Sequence, residues 1–253
     1  MIRGVGIAII GAALLTGSAA GAGAAKTPAA IAAAIAAPDR PKADTDRDKD
    51  RKRAELIAFA GIRPGAQVAD IMPGQGYFTR LFSHVVGPSG HVDALVPAEL
   101  ARVSPTLADS ARAIAADPAY GNVTASVKPT AALTTAEPVD VAWTSDNYHD
   151  LYAFFGADQA ARFDAAVFRM LKPGGRFIVI DHAAAPGATV DSIRKLHRID
   201  VAIVKAQVIA AGFVLDGESA ALRNPLDLHD QPVFSPSVRG RTDQFVLRFR
   251  KPG

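Results

Sequence analysis

Two stretches of the chain carry side chains able to move a proton. Trp143-Thr144-Ser145-Asp146-Asn147-Tyr148-His149-Asp150 follows one apolar run, and Asp181-His182 closes another, Arg176-Phe177-Ile178-Val179-Ile180. An imidazole titrates close to neutrality, so His149 first and His182 second are candidates to take a proton from a bound acceptor. The competing reading makes both of them hydrogen-bonded loop histidines. A third stretch, Val68-Ala69-Asp70-Ile71-Met72-Pro73-Gly74-Gln75-Gly76-Tyr77, is an apolar run with one carboxylate that turns on two glycines. A backbone without Cβ at Gly74 and Gly76 lets a ligand come close. His149, Asp181, His182, His197 and Asp200 offer nitrogen and oxygen ligands, yet no compact spacing such as His-Glu-x-x-His joins them, and no metal is assigned.

A sheet must hold these stretches. Strands are expected over 68–72, 91–96, 122–127, 139–143, 176–181, 213–218 and 244–250, with helices between them. Tyr77, Phe78, Leu81, Phe82, Val85 and Val86 have the spacing of a helix with one buried face, and its first N–H groups would point above the glycine turn. Phe163, Val167, Met170 and Leu171 mark a second such helix, stopped by Lys172-Pro173-Gly174-Gly175. A polar loop spans 219–243. Strands alternating with helices predict an α/β, doubly wound, mostly parallel sheet, with ligands at the carboxyl ends of its strands. The charged run Asp44 to Arg53 reads as the exposed start of a helix, with Asp48 and Lys52 paired, and is assigned no chemistry.

With 253 residues, 49% of them hydrophobic, the chain can bury a full core without staples. A formal charge of +3, spread over both signs, and no basic run interleaved with aromatics give no nucleic-acid surface. The absence of cysteine excludes disulfides and thiolate metal sites. Met1-Ile2-Arg3, the apolar Gly4 to Leu15, and the small residues ending at Ala20 and Ala25 have the layout of a secretory signal peptide over 1–25. Cleavage after Ala20 or Ala25 would give an exported, periplasmic protein with no membrane contact. Residues 26–43 are expected to be a spacer and 44–253 a single domain.

The loop Val68 to Tyr77 resembles the cofactor loop of class I S-adenosylmethionine-dependent methyltransferases. Leu171-Lys172-Pro173-Gly174-Gly175 with the strand to Asp181 is similar to the fifth-strand turn of that fold. The ending, Arg223-Asn224-Pro225 and Arg239 to Lys251, resembles exported methyltransferases whose loop reads Pro-Gly-x-Gly. The likeness covers about 44–251. It implies a seven-stranded, Rossmann-like sheet with the last strand antiparallel, S-adenosyl-L-methionine as cofactor and a small-molecule acceptor. It further implies cofactor contacts from Asp70, Pro73, Gly74, Gly76 and Tyr77, with His149 or His182 as base and Asn147 touching cofactor or acceptor. Met72 replaces the loop's first glycine, and Val96-Pro97 stands where a ribose-binding acid belongs, with Glu99 as its nearby substitute. A binding protein that keeps the fold without catalysis is the alternative.

Overall fold

The computed structural model describes Met1 and residues 27–253, so the signal peptide expected over 1–25 lies outside the described residues. The first half runs α1 (Ala29–Ile35), α2 (Lys42–Thr45), α3 (Arg53–Ala60), β1 (Gln67–Ile71), α4 (Tyr77–Val86), β2 (His91–Pro97), α5 (Ala98–Val103), α6 (Pro105–Ala116) and β3 (Val123–Lys128). The second runs β4 (Val139–Ser145), α7 (Tyr148–Phe155), α8 (Ala157–Met170), β5 (Leu171–His182), α9 (Val190–Leu196), α10 (Val201–Ala210), β6 (Val214–Ser219) and β7 (Gln244–Arg250). The seven strands form one sheet in the order β3-β2-β1-β4-β5-β7-β6. β1 to β5 pair in parallel, and β7 is antiparallel to both β5 and β6.

Helices on both faces explain why the central strands β1 and β4 are buried along most of their length rather than at alternate residues. Successive residues of β5 serve opposite layers. Ile178 and Ile180 join α1, α3, α4 and α6 in one core, while Phe177 and Val179 join α7, α8 and α10 in the other. The expected Lys172–Gly175 turn is present as a loop-out within β5. Pairing with β4 shifts register between Val139↔Leu171 and Val141↔Arg176, and Gly174 takes the left-handed φ of 75°. Asp140 fixes this irregularity by accepting from Lys172 Nζ at 2.8 Å and from the Gln67 N–H at 2.8 Å.

The charged run corrects the expectation for 44–53. It does not begin a helix; the chain breaks into α2, a single 3₁₀ turn over Asp48–Asp50 and a left-handed Lys52, and α3 starts at Arg53. Distant partners override the local pairing of Asp48 with Lys52. Buried Asp44 accepts from Arg80 Nε at 2.6 Å, and Asp48 accepts from Arg40 at 2.7 Å and from the Tyr77 hydroxyl at 2.8 Å. Ile31, Ala34 and Arg40 are likewise buried, so part of the segment expected as a spacer packs on the domain. Among the described residues, no helix is long and apolar enough to cross a membrane.

Candidate active site

β1 is flanked by β2 on one side and β4 on the other, so the chain's winding reverses between β1 and β4. The loops leaving their carboxyl ends splay apart at such a point and leave a crevice. Met72–Gly76 forms one wall and Asp146–Asp150 faces it. Met72, Asp146 and His197 have positive φ values of 59°, 61° and 54°. Such backbone is costly for non-glycine residues and concentrates at functional sites.

The glycine turn is held from both sides. The Met72 N–H donates to the Leu95 carbonyl at 2.8 Å, and the Asn147 amide donates to the Met72 carbonyl at 3.0 Å. Gly74 and Gly76 take φ values of 58° and 80°. A Cβ on Gly76 would stand 2.0 Å from Ile114 Cδ1, whereas one on Gly74 would meet nothing within 4 Å. The open face of Gly74 lines a cavity of about 160 Å³, together with Asp70, Pro73, Tyr77 and Asn147, and with Arg47 and Arg51. The Tyr77 ring lies beneath the guanidiniums of Arg40, Arg47 and Arg51, 5.5 to 5.7 Å from its centroid.

Asp70 sits under the turn and accepts from the Thr79 hydroxyl at 2.6 Å. Burial, against that hydrogen bond, pushes its pKa up to about 7. The folded value lies above the ~3.9 of an unfolded aspartate. Stability of the ligand-free protein is therefore expected to fall as pH rises from about 4 to about 7, by at most ~1.4 kcal/mol per pH unit, and then to level off. Asp70→Asn is expected to flatten that part of a plot of Tm against pH.

Glu99 does not line the cavity of about 160 Å³. Its carboxylate accepts from the Thr130 N–H at 3.0 Å and hydroxyl at 2.8 Å, and from Gln159 at 3.2 Å. Asn147 lines the crevice, but its amide N–H groups are donated to the Met72 and Ser145 carbonyls.

The two histidines stand together, with ring centroids 5.9 Å apart. His149, at the first turn of α7, is 3% exposed. Its Nδ1 lies 2.6 Å from Asp181 Oδ1, and its Nε2 lies 3.2 Å from Asp150 Oδ1. Burial opposes its charged form, but the Asp181 charge and the hydrogen bonds to Asp150 and Asp181 outweigh this and raise its pKa to about 10. His149 is thus a positive group at neutral pH. His182, at the end of β5, differs. Burial lowers its pKa, only partly offset by Asp146 and Asp181, so its ring is neutral. His182 Nδ1 lies 2.8 Å from Thr242 Oγ1, and Nε2 makes no hydrogen bond among the described residues.

His149 and His182 line a second cavity of about 580 Å³, together with Asp146, Asp150, Phe234 and Thr242. Arg47, Arg51 and Asp146 line both cavities, and Arg51 Nη1 donates to Asp146 Oδ2 at 3.0 Å. The sequence reading gave Asp146 and Asp150 no role beyond their place in the Trp143–Asp150 stretch, and gave Arg47 and Arg51 none at all. Adjacency to His149 was the available signal for Asp150; Arg47 and Arg51 were hidden inside the charged run.

No protein-family model matches the chain. It is 27% identical over 158 residues to the ubiquinone/menaquinone biosynthesis C-methyltransferase UbiE of Saccharophagus degradans, covering 61% of this chain and 58% of that protein. The chain thus spans little more than half the length of this curated relative. A SAM-dependent methyltransferase from Aquifex aeolicus superposes with a TM-score of 0.54 at 17% identity, over 82% of this chain and 97% of that one. The 1,6-didemethyltoxoflavin-N1-methyltransferase of Burkholderia thailandensis, solved with bound 1,6-didemethyltoxoflavin and S-adenosylhomocysteine, gives a TM-score of 0.53 at 19% identity over 84% and 82% of the two chains. Sheet order, glycine turn and these likenesses together define the fold as that of the class I S-adenosylmethionine-dependent methyltransferases. The chain is methyltransferase-like in sequence as well as in fold.

Proposed function

We propose that the protein is an S-adenosylmethionine-dependent methyltransferase acting on a small-molecule acceptor. One observation carries this reading: a glycine turn at the winding reversal whose open Gly74 face lines a cavity continuous in its lining residues with a larger one. The fit to the cofactor's amino-acid end is good, because Asp70 is a buried carboxylate beside that turn without a cationic partner among the described residues. Asp70, Pro73, Gly74, Gly76 and Tyr77 would hold the cofactor there, with Asn147 keeping the turn in shape. When bound, S-adenosylmethionine supplies an electrophilic methyl group on a sulfonium.

The chain's own task is to align the acceptor and receive its proton. His182 Nε2 is the proton acceptor in this reading, since its ring is neutral and that nitrogen is free, while Thr242 orients the other face. His149, held as a cation by Asp181 and Asp150, instead sets the charge of the cavity wall. His182→Gln is expected to lower turnover about 100-fold while leaving S-adenosylhomocysteine affinity unchanged. Steady-state kinetics beside a binding titration read both quantities; a parallel loss of affinity would reject the assignment.

The second reading, a ligand-binding protein without catalysis, draws on the engagement of Glu99 with Thr130 and Gln159. Binding of S-adenosylhomocysteine with no methyl transfer to any phenolic, enolic or amine acceptor would favour it. The leader-like sequence over 1–25 supports export to the periplasm, testable by whether the mature N-terminus of secreted material begins after Ala20 or Ala25.

A further inference from the structure

His149, Asp150 and His197 bring one donor atom each to a common point. His149 Nε2 lies 3.2 Å from Asp150 Oδ1, His197 Nδ1 lies 3.0 Å from the same oxygen, and the two ring nitrogens are 3.3 Å apart. We propose that these three side chains form a binding site for a divalent first-row transition cation of the zinc type. A cation about 2.1 Å from each donor, the ordinary Zn–N and Zn–O distance, sits just outside the plane of so small a triangle. Two imidazoles and one carboxylate suit Zn²⁺ and its neighbours better than the oxygen-seeking Mg²⁺ or Ca²⁺.

Hydrogen bonding from both rings to Asp150 Oδ1 would account for two edges of the triangle, but it does not require the close approach of the two nitrogens. The surroundings also match a metal centre. The far nitrogen of His149 lies 2.6 Å from Asp181 Oδ1, and Asp181 is itself fixed by the backbone N–H groups of His149 at 2.8 Å and His182 at 2.7 Å. A carboxylate behind a ligating histidine keeps the far nitrogen protonated, and the cation would displace the proton that the near nitrogen carries in the metal-free imidazolium. His197 holds its place through a left-handed backbone at the end of α9, at a cost of ~1 kcal/mol or more for a non-glycine residue. Phe154 and Phe234 flank its ring, with centroids 6.0 and 4.9 Å away.

His149 and Asp150 line the 580 Å³ cavity, so the cation would stand at its wall. Three protein ligands leave coordination positions for an exogenous oxygen. Resting on the methyltransferase reading, that oxygen belongs to a phenolic or enolic acceptor, whose proton passes to His182. The site itself does not depend on that reading.

The test is calorimetric titration of chelator-treated, dialysed protein with Zn²⁺ alone, and with Co²⁺ followed by visible absorption. One ion per chain is expected. His197→Gln and Asp150→Asn, both at partly exposed positions, are each expected to weaken Zn²⁺ at least 100-fold and to abolish the Co²⁺ bands. Asp181→Asn is expected to weaken Zn²⁺ by 10- to 100-fold. Absence of binding by the wild-type protein would overturn the proposal. So would undiminished affinity in the folded His197→Gln and Asp150→Asn proteins, which would place the ion on other histidines. Should one variant not fold, the other and the Co²⁺ spectrum of the wild-type protein still decide. A parallel titration with S-adenosylhomocysteine separates the two readings: Zn²⁺ bound without it would leave the metal site and remove the methyltransferase, and the converse would do the reverse.

Discussion

Gly74→Val is expected to weaken S-adenosylhomocysteine binding by 1000-fold or more while leaving a folded protein. The two parts of that expectation have different physical origins. A Cβ at Gly74 meets no atom of the described residues within 4 Å, so nothing among them resists it sterically. The φ of 58° costs a residue with a side chain roughly 1–2 kcal/mol, somewhat more when it is β-branched. The valine side chain would then project into the 160 Å³ cavity that Gly74 lines. A 1000-fold loss corresponds to ~4.1 kcal/mol. Gly76→Val is a poorer probe, because its Cβ would collide with Ile114 Cδ1 at 2.0 Å and disturb the packing of α6 on the turn. Thermal unfolding with and without ligand separates the effects: Gly74→Val is expected to lose the ligand-induced rise in Tm and to keep most of the ligand-free Tm. Retained ligand stabilisation would mean that the ligand lies elsewhere.

Arg198→Ala is expected to destabilise the protein by about 3–5 kcal/mol, because it strands a buried carboxylate. Arg198 and Asp227 have side-chain exposures of 0% and 1%. The guanidinium donates to Asp227 at 2.8 and 3.1 Å, to the Ala183 carbonyl at 3.2 Å and to the Gln231 carbonyl at 2.9 Å. Asp227 also accepts from the backbone N–H groups of Asp243 and His229; burial pushes its carboxyl up, but these N–H groups and Arg198 outweigh it and hold the carboxyl below the usual range. This one side chain thus ties the 219–243 loop to the end of β5. At roughly 2–4 °C per kcal/mol for a chain of this size, Tm is expected to drop by about 6–20 °C. Thr242, Arg239 and Gly240 of the same loop line the larger cavity, so any methyl-transfer activity is expected to fall with the loop's order. Arg198→Lys keeps the charge but cannot make four separate hydrogen bonds, and an intermediate loss of Tm is expected. A Tm change under 2 °C for Arg198→Ala would show that the loop is held by its other contacts.

The elements around the glycine turn were legible because their signals are local. Val68 to Ile71 is apolar but for Asp70 since both faces are covered, and the helical spacing from Tyr77 begins at the first residue of α4. The closing strand over Gln244 to Arg250 was equally plain. The charged run from Asp44 to Arg53 was misread because Asp44 and Asp48 find their partners at Arg80, Arg40 and Tyr77. No local pattern encodes those pairings. The same holds for the cluster of His149, Asp150 and His197. Two members adjoin in sequence, but the third comes from the far side of β5, and only the fold brings its Nδ1 within 3.3 Å of His149. Glu99 shows the converse. It lies near the sequence position of a ribose-binding acid, yet the first turn of α5 carries it to Thr130.

Calorimetric titration of the purified protein with S-adenosylhomocysteine tests the central claim most directly. One site per chain is expected, with binding lost in Gly74→Val. A correctly folded protein that gives no heat at saturating ligand, or a bound complex whose nucleoside lies away from the Met72–Gly76 turn, would contradict it.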